Sequence, residues 1–229
     1  ILHKPQLSEN IGACARAIKN FNFKKLVVIN PKPSFPNDKI LATSVGAKDI
    51  IKNSKIYKEL EPAIKKIDYL IATTSRFRNK NIKHINLTDL KKIDYSKKVA
   101  FLFGSEASGL SNNEISYANY TIQISSNPDF KSLNLSHSVI IIAHIVANLI
   151  KSADSKYTKS KKIKTATKKD IQSMVNLCIK NLEDKNFFKQ LEKKPVMLEN
   201  LRSIFYKMEL SEKETRILSS VFASLAKKG

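Results

Sequence analysis

Asn10 and Arg16 bracket an apolar stretch of small residues, Asn10-Ile11-Gly12-Ala13-Cys14-Ala15-Arg16. A guanidinium in such company needs a reason, and its fixed fork of donors suits a phosphate or a developing oxyanion. A structural ion pair, with Glu9 or Glu106, is the alternative. A second segment, Gly104-Ser105-Glu106-Ala107-Ser108-Gly109-Leu110, follows the apolar run Val99–Phe103. Its glycines have the spacing of a phosphate-binding loop, but Leu110-Ser111 stands where Lys-Ser/Thr belongs, and Glu106 places an anion inside. No G-x-G-x-x-G fingerprint occurs anywhere. The loop therefore disfavours triphosphates and dinucleotides. It suits a phosphate-free, positively charged ligand held by backbone groups, and S-adenosylmethionine has that chemistry; a plain glycine-flanked turn is the alternative. A third segment, Ser132-Leu133-Asn134-Leu135-Ser136, opens a long apolar stretch. A helix start offers free N–H groups to an adenine edge or an incoming nucleotide, although by itself it is only a capping sequence.

Other chemistries find little support. His3, His84, His137 and His144 form no ligand set with Cys14 and Cys178, so no metal is expected. Ser105 lies outside any G-x-S-x-G elbow, and no Ser-His-Asp arrangement is indicated.

The elements that must position these segments are legible in outline. Leu26–Asn30, Tyr69–Thr73, Val99–Phe103 and Tyr120–Ile124 read as strands, while Ile40–Lys52 and Leu133–Lys151 have helical character. Strands alternating with helices predict an α/β domain over residues 1–151, with a mostly parallel sheet covered by helices on both faces. Residues 152–168 are polar and lysine-rich and read as a linker. From 169 to 229 a helical extension is expected, with helices near 170–183, 197–208 and 212–227 and a capping box at Ser211 and Glu214. This tail has too little apolar surface for a large core of its own and should dock on the first domain or on a second copy.

The chain has 229 residues, is 42% hydrophobic and carries a formal charge of +21, which excludes wholesale disorder and suggests a polyanionic partner. Only Arg16, Arg76, Arg78, Arg202 and Arg216 are arginine, a lysine bias that an AT-rich genome also writes on any solvated surface. The charge is nevertheless uneven. Residues 99–150 hold Lys131 against Glu106, Glu114 and Asp129, whereas 151–170 hold eight lysines against Asp154 and Asp170. The longest apolar run, Val139–Ile150, is interrupted by His144 and Asn148, so no membrane span is expected. Two cysteines in helical contexts, with no signal-peptide pattern, predict free thiols in the cytoplasm. The sequence opens on Ile1, and a few leading residues are expected before it.

Taken together and in order, the three segments resemble the signature motifs of the SPOUT superfamily of RNA methyltransferases. The resemblance is greatest to the TrmJ-type tRNA ribose 2′-O-methyltransferases, relatives of TrmH. Asn10 and Arg16 match the first motif; Gly104, Glu106, Gly109 and Leu110 the second; Ser132, Asn134 and Ser136 the third. Leu201-Arg202-Ser203-Ile204-Phe205 and the stretch from Arg216 to Leu225 resemble the TrmJ-type extension. The resemblance implies a C-terminal trefoil knot in the α/β domain, a homodimer with the pocket near its interface, and S-adenosylmethionine as cofactor. By position the cofactor would touch Thr73, Thr74, Ser75, Gly104, Glu106, Ile124, Ser132, Leu133 and Asn134. The implied substrate is RNA, specifically tRNA at nucleotide 32 of the anticodon loop; ribosomal RNA, another tRNA site or a catalytically silent RNA-binding relative are the rivals. Where relatives often carry a basic residue beside the motif-two glutamate, Ser105, Ala107 and Ser108 are small and neutral. In the implied reaction Arg16 holds a phosphate and stabilises a forming alkoxide, because a guanidinium rarely gives up its proton. Asn10, Ser132 and Asn134 position it.

Overall fold

The computed structural model describes residues 1–75, 82–127, 129, 132–153 and 165–226. The chain opens with β1 (Leu2–His3), α1 (Ser8–Asn20), β2 (Val27–Ile29), α2 (Asp38–Thr43), α3 (Lys48–Lys52) and β3 (Lys55–Tyr57). It continues through α4 (Leu60–Ile64), β4 (Tyr69–Thr73), β5 (Lys83–Ile85), β6 (Val99–Leu102), α5 (Asn112–Ile115), β7 (Tyr120–Ile122) and α6 (Leu135–Ala153). Three further helices follow: α7 (Lys168–Asp184), α8 (Lys194–Lys207) and α9 (Glu212–Ala226).

Every described strand pair is parallel. Strands run β1-β2-β3 in one set and β5-β7-β4-β6 in the other. The sets join where His3 N–H donates to Phe103 O at 2.8 Å and Phe103 N–H donates to Ile1 O at 3.0 Å. One parallel sheet results, ordered β5-β7-β4-β6-β1-β2-β3. Side chains alternate across it as the pleat requires. Tyr69 and Ile71 enter one core with residues of α1, α3 and α6, whereas Leu70 and Ala72 enter another with residues of α4, α7 and α8.

Expected and observed elements differ for physical reasons. The stretch 40–52 divides into α2 and α3, because the chain turns at Gly46, whose φ of +74° suits glycine. The long helix begins at Leu135 rather than Leu133, since the Asn134 side chain caps it: Oδ1 accepts from Ser136 N–H at 2.8 Å. Over Leu135–Ser152 this helix does have the length and composition of a membrane span, with a mean hydropathy of 1.4. Two polar residues interrupt the apolar run without lowering that average enough. Its inward side, including Leu135, Val139, Ile142 and Val146, belongs to the core. The short strands β1, β3 and β5 have no counterpart in the sequence pattern.

The last three helices pack on the second core through Ile171, Met174 and Val175 of α7, Tyr206 of α8, and the partly buried Leu218 and Phe222 of α9. The capping box at the start of α9 is present: Ser211 N–H donates to Glu214 Oε2 at 2.7 Å and Glu214 N–H to Ser211 Oγ at 3.2 Å. A fully buried Lys168 anchors α7, its Nζ donating to Asn119 Oδ1 at 2.5 Å and lying 4.5 Å from the Tyr206 ring centroid. Of the expected basic linker, residues 154–164 lie outside the described residues.

Candidate active site

At the carboxyl ends of β4, β6 and β7 lies a cavity of about 740 Å³, large enough for a small-molecule cofactor. Thr73, Thr74 and Ser75 contribute from the end of β4, the segment Phe103–Leu110 from the end of β6, and Ile124 from beyond β7. Asp129, Ser132, Leu133, Leu135 and Ser138 complete the wall. No lysine or arginine appears among its described lining residues, whereas Glu106 and Asp129 do. Among the described residues the charged lining is acidic, which suits a cation better than a phosphate.

The loop after β6 closes on itself. Gly109 N–H donates to Ser105 O at 2.9 Å, and Gly109 has φ +67°. A Cβ on Gly104 would overlap the backbone of Gly109 and Leu110, so the close approach of the two loop ends requires glycine there. On the neighbouring strand Thr73 Oγ1 donates to Leu102 O at 3.0 Å, and Thr74 N–H to Ile122 O at 2.9 Å. These bonds tie the β4 end of the wall to β6 and β7.

One hydrogen-bond chain strings the three motifs together. Glu106 Oε2 accepts from Gln6 N–H at 2.8 Å, and its Oε1 accepts from Leu7 N–H at 3.3 Å and Asn10 Nδ2 at 2.8 Å. Asn10 Oδ1 accepts from Asn134 Nδ2 at 3.0 Å. Asn134 Oδ1 in turn accepts from Ser136 N–H and Ser136 Oγ, both at 2.8 Å. Glu106 thus lines the cavity while its carboxylate caps the approach to α1, where the helix dipole favours an anion. Asn10 is buried, and both polar atoms of its amide are bonded within the chain. The backbone donors of Gln6 and Leu7 were not foreseeable, because peptide groups leave no mark on residue type.

The expected site residues therefore divide. Thr73, Thr74, Ser75, Gly104, Glu106, Ile124, Ser132 and Leu133 come together around the cavity. Asn10 and Asn134 lie behind it, as links rather than lining. Arg16 stands apart: it is exposed on α1 and is not among the lining residues. Six residues at about 100° each carry it roughly a third of a turn round the helix from Asn10. It makes no ion pair among the described residues, since Glu9 faces Lys39 at 3.7 Å and Glu106 is occupied. Burial pushes the Cys14 thiol up, which removes it as a nucleophile. Among the described residues no group of three or more His, Cys, Asp or Glu could hold a metal.

Comparison with known proteins gives this geometry a context. The model of the SpoU rRNA Methylase family matches residues 1–144. A tRNA (cytidine-2′-O-)-methyltransferase TrmJ from Sulfolobus acidocaldarius is 32% identical over 233 residues, covering 94% of this chain and 96% of that protein. The crystal structure of TrmJ from Z. mobilis ZM4 superposes with a TM-score of 0.88 at 26% identity, over 99% of this chain and 97% of that one. AviRb from Streptomyces viridochromogenes, a SpoU methyltransferase solved in complex with AdoMet, shares the fold with a TM-score of 0.52 at 19% identity, over 66% of this chain and 59% of its own. With the family model spanning most of the α/β part and a relative so similar along nearly the whole length, the chain belongs to the SpoU rRNA methylase family, among its TrmJ-type members.

Proposed function

We propose that this protein is an S-adenosylmethionine-dependent tRNA ribose 2′-O-methyltransferase that modifies nucleotide 32 of the anticodon loop. The observation that carries the reading is the chain from Ser136 through Asn134 and Asn10 to Glu106, which draws three distant motifs around one cation-friendly cavity. The TrmJ relatives support tRNA as the substrate class.

When bound, S-adenosylmethionine supplies an electrophilic methyl group for transfer to the ribose 2′-oxygen. The residues of this chain do the rest. Thr73, Ser75 and the Gly104–Gly109 backbone would hold the nucleoside portion, and the acidic wall would favour the sulfonium. Ser132 and Leu133 would bound the side from which the ribose arrives. Aligning the two reactants supplies several kcal/mol, about 7 or more in favourable cases. Arg16 would hold a phosphate and stabilise the forming alkoxide.

Arg16 is exposed and does not line its own chain's cavity, so this role would place it at the cavity of a second copy. A homodimer would also cover Ile140 of α6, which one chain leaves exposed. α6 packs directly against α1, which bears Arg16. The trefoil knot, the cytoplasmic location, and the division into residues 1–151, 152–168 and 169–229 belong to the same reading.

Mass-spectrometric mapping of tRNA and ribosomal RNA after incubation with labelled cofactor tests the proposal. A single 2′-O-methyl group at tRNA nucleotide 32 is expected; methylation confined to ribosomal RNA would overturn the substrate. Arg16→Ala should keep calorimetric affinity for S-adenosylmethionine and lose methyl transfer by about 100-fold or more. Unchanged turnover would remove Arg16 from the reaction.

A further inference from the structure

We infer that the amino edge of the sheet, opposite the cavity, is a second RNA-binding surface that grips the phosphate backbone of the substrate. This rests on the reading of RNA as substrate.

Because the strands are parallel, all of them start at one edge and end at the other. The cavity takes the carboxyl edge. At the amino edge the sequence repeats one device: a pair of lysines shortly ahead of a strand. Lys24-Lys25 precede β2, Lys65-Lys66 precede β4, and Lys97-Lys98 precede β6. Hydrogen bonds hold these loops against one another and against the tail. Asp68 N–H donates to Lys98 O at 2.9 Å, and Lys169 N–H donates to Lys65 O at 3.2 Å. With the order β4-β6-β1-β2, the pairs form a row about 14 Å long at the inter-strand spacing of roughly 4.8 Å. Lys55, at the start of β3, extends it by one strand.

Beyond the carboxyl ends of the strands, two lysines are paired and the exposed Lys32 and Lys58 are not, so the row is distinguished by its density of lysines. Lys4 meets Glu114 at 3.3 Å, and Lys39 meets Glu9 at 3.7 Å. Lys24, Lys25, Lys65, Lys66 and Lys98 are exposed, and none makes an ion pair among the described residues. Asp68, within the row, accepts the Lys98 backbone N–H at 2.9 Å. Lys97 is committed to Thr165 and lies 5.9 Å from the Tyr69 ring centroid. Asp68, Asp94 and Glu209 also lie at this edge, but none ion-pairs with these five lysines among the described residues. The excess of like charge repels itself, and a polyanion relieves that repulsion while releasing its own counterions. Ammonium groups on flexible stems bind phosphate as point charges and read no base. The surface therefore fits a sugar-phosphate backbone of any sequence. It lies a strand length, about 10–17 Å for three to five residues, from the reacting edge. Its contacts thus fall on RNA outside the target nucleotide.

The test compares the wild-type chain, a variant with Lys24, Lys25, Lys65, Lys66 and Lys98 changed to alanine, and a control with Lys180, Lys189, Lys193, Lys207 and Lys213 changed to alanine. Binding of tRNA is followed by fluorescence anisotropy over a KCl series, alongside methyl-transfer kinetics. The amino-edge variant should flatten the slope of log Kd against log [KCl] by about 2–4, at roughly 0.7–0.9 per phosphate contact. Its KM for tRNA should rise about tenfold or more with kcat and S-adenosylmethionine affinity unmoved, while the control changes the slope by less than about 1. An unchanged slope, or an equal loss in the control, would overturn the inference. A wild-type chain that binds tRNA through these lysines but transfers no methyl group would instead sink the catalytic reading and leave this surface standing. Wild-type protein that methylates tRNA with no loss in the variant sinks only the surface.

Discussion

Glu106→Ala removes one acceptor from three donors at once. The Leu7 contact is long, at 3.3 Å, and exposed, so water can replace it at little cost. The other two are stronger. Gln6 N–H and Asn10 Nδ2 each reach a charged oxygen at 2.8 Å in partly buried surroundings. Asn10 is 7% exposed, so its amide would be left without a ready partner. Two charge-assisted bonds at about 1–2 kcal/mol each give a loss of about 2–4 kcal/mol. For a chain of this size about 2–4 °C accompanies each kcal/mol, so the melting temperature should fall by roughly 5–15 °C. Glu106→Gln keeps the shape and one acceptor oxygen, and should lose about half as much. Differential scanning calorimetry of the three proteins measures this, and titration with S-adenosylmethionine should show weaker binding in the same order. An alanine variant melting within about 2 °C of wild type would mean that the carboxylate carries no tertiary energy.

Two further predictions concern backbone space and buried charge. Gly104→Ala has no room for its Cβ against the backbone of Gly109 and Leu110, so the loop must open. The variant should lose about 1–3 kcal/mol and its calorimetric affinity for S-adenosylmethionine; retention of both would show that the loop yields without cost. Burial holds the Lys168 ammonium well below the ordinary lysine range, with Asp68 opposing. The unfolded chain therefore keeps a proton that the folded chain sheds, and this contribution to stability rises with pH up to about 10.4. Lys168→Met should be more stable than wild type near neutral pH, by about 1–2 kcal/mol, because it removes a buried ionisable group. Urea midpoints should show that advantage shrinking towards about pH 10, and an advantage constant with pH would contradict it.

Local residue order determines much of this protein. Tyr69-Leu70-Ile71-Ala72-Thr73 is an apolar run bounded by polar residues, and it forms β4 over those same residues. Ser211 and Glu214 carry their capping box wherever the helix goes, since both partners lie within one turn. The small residues of Gly104–Gly109 likewise announce a loop that meets itself. By contrast, Lys55-Ile56-Tyr57 is largely exposed and becomes a strand only because β2 lies beside it. Asn10 and Asn134 are 124 residues apart, and no pattern in either neighbourhood states that their amides touch. That Arg16 is exposed while Glu106 turns its carboxylate back to α1 was likewise decided by the packing of α1 with α6 on the sheet. Periodicity and capping act over a few residues of one segment, whereas the site depends on distances between segments, which only the completed sheet and its helices set.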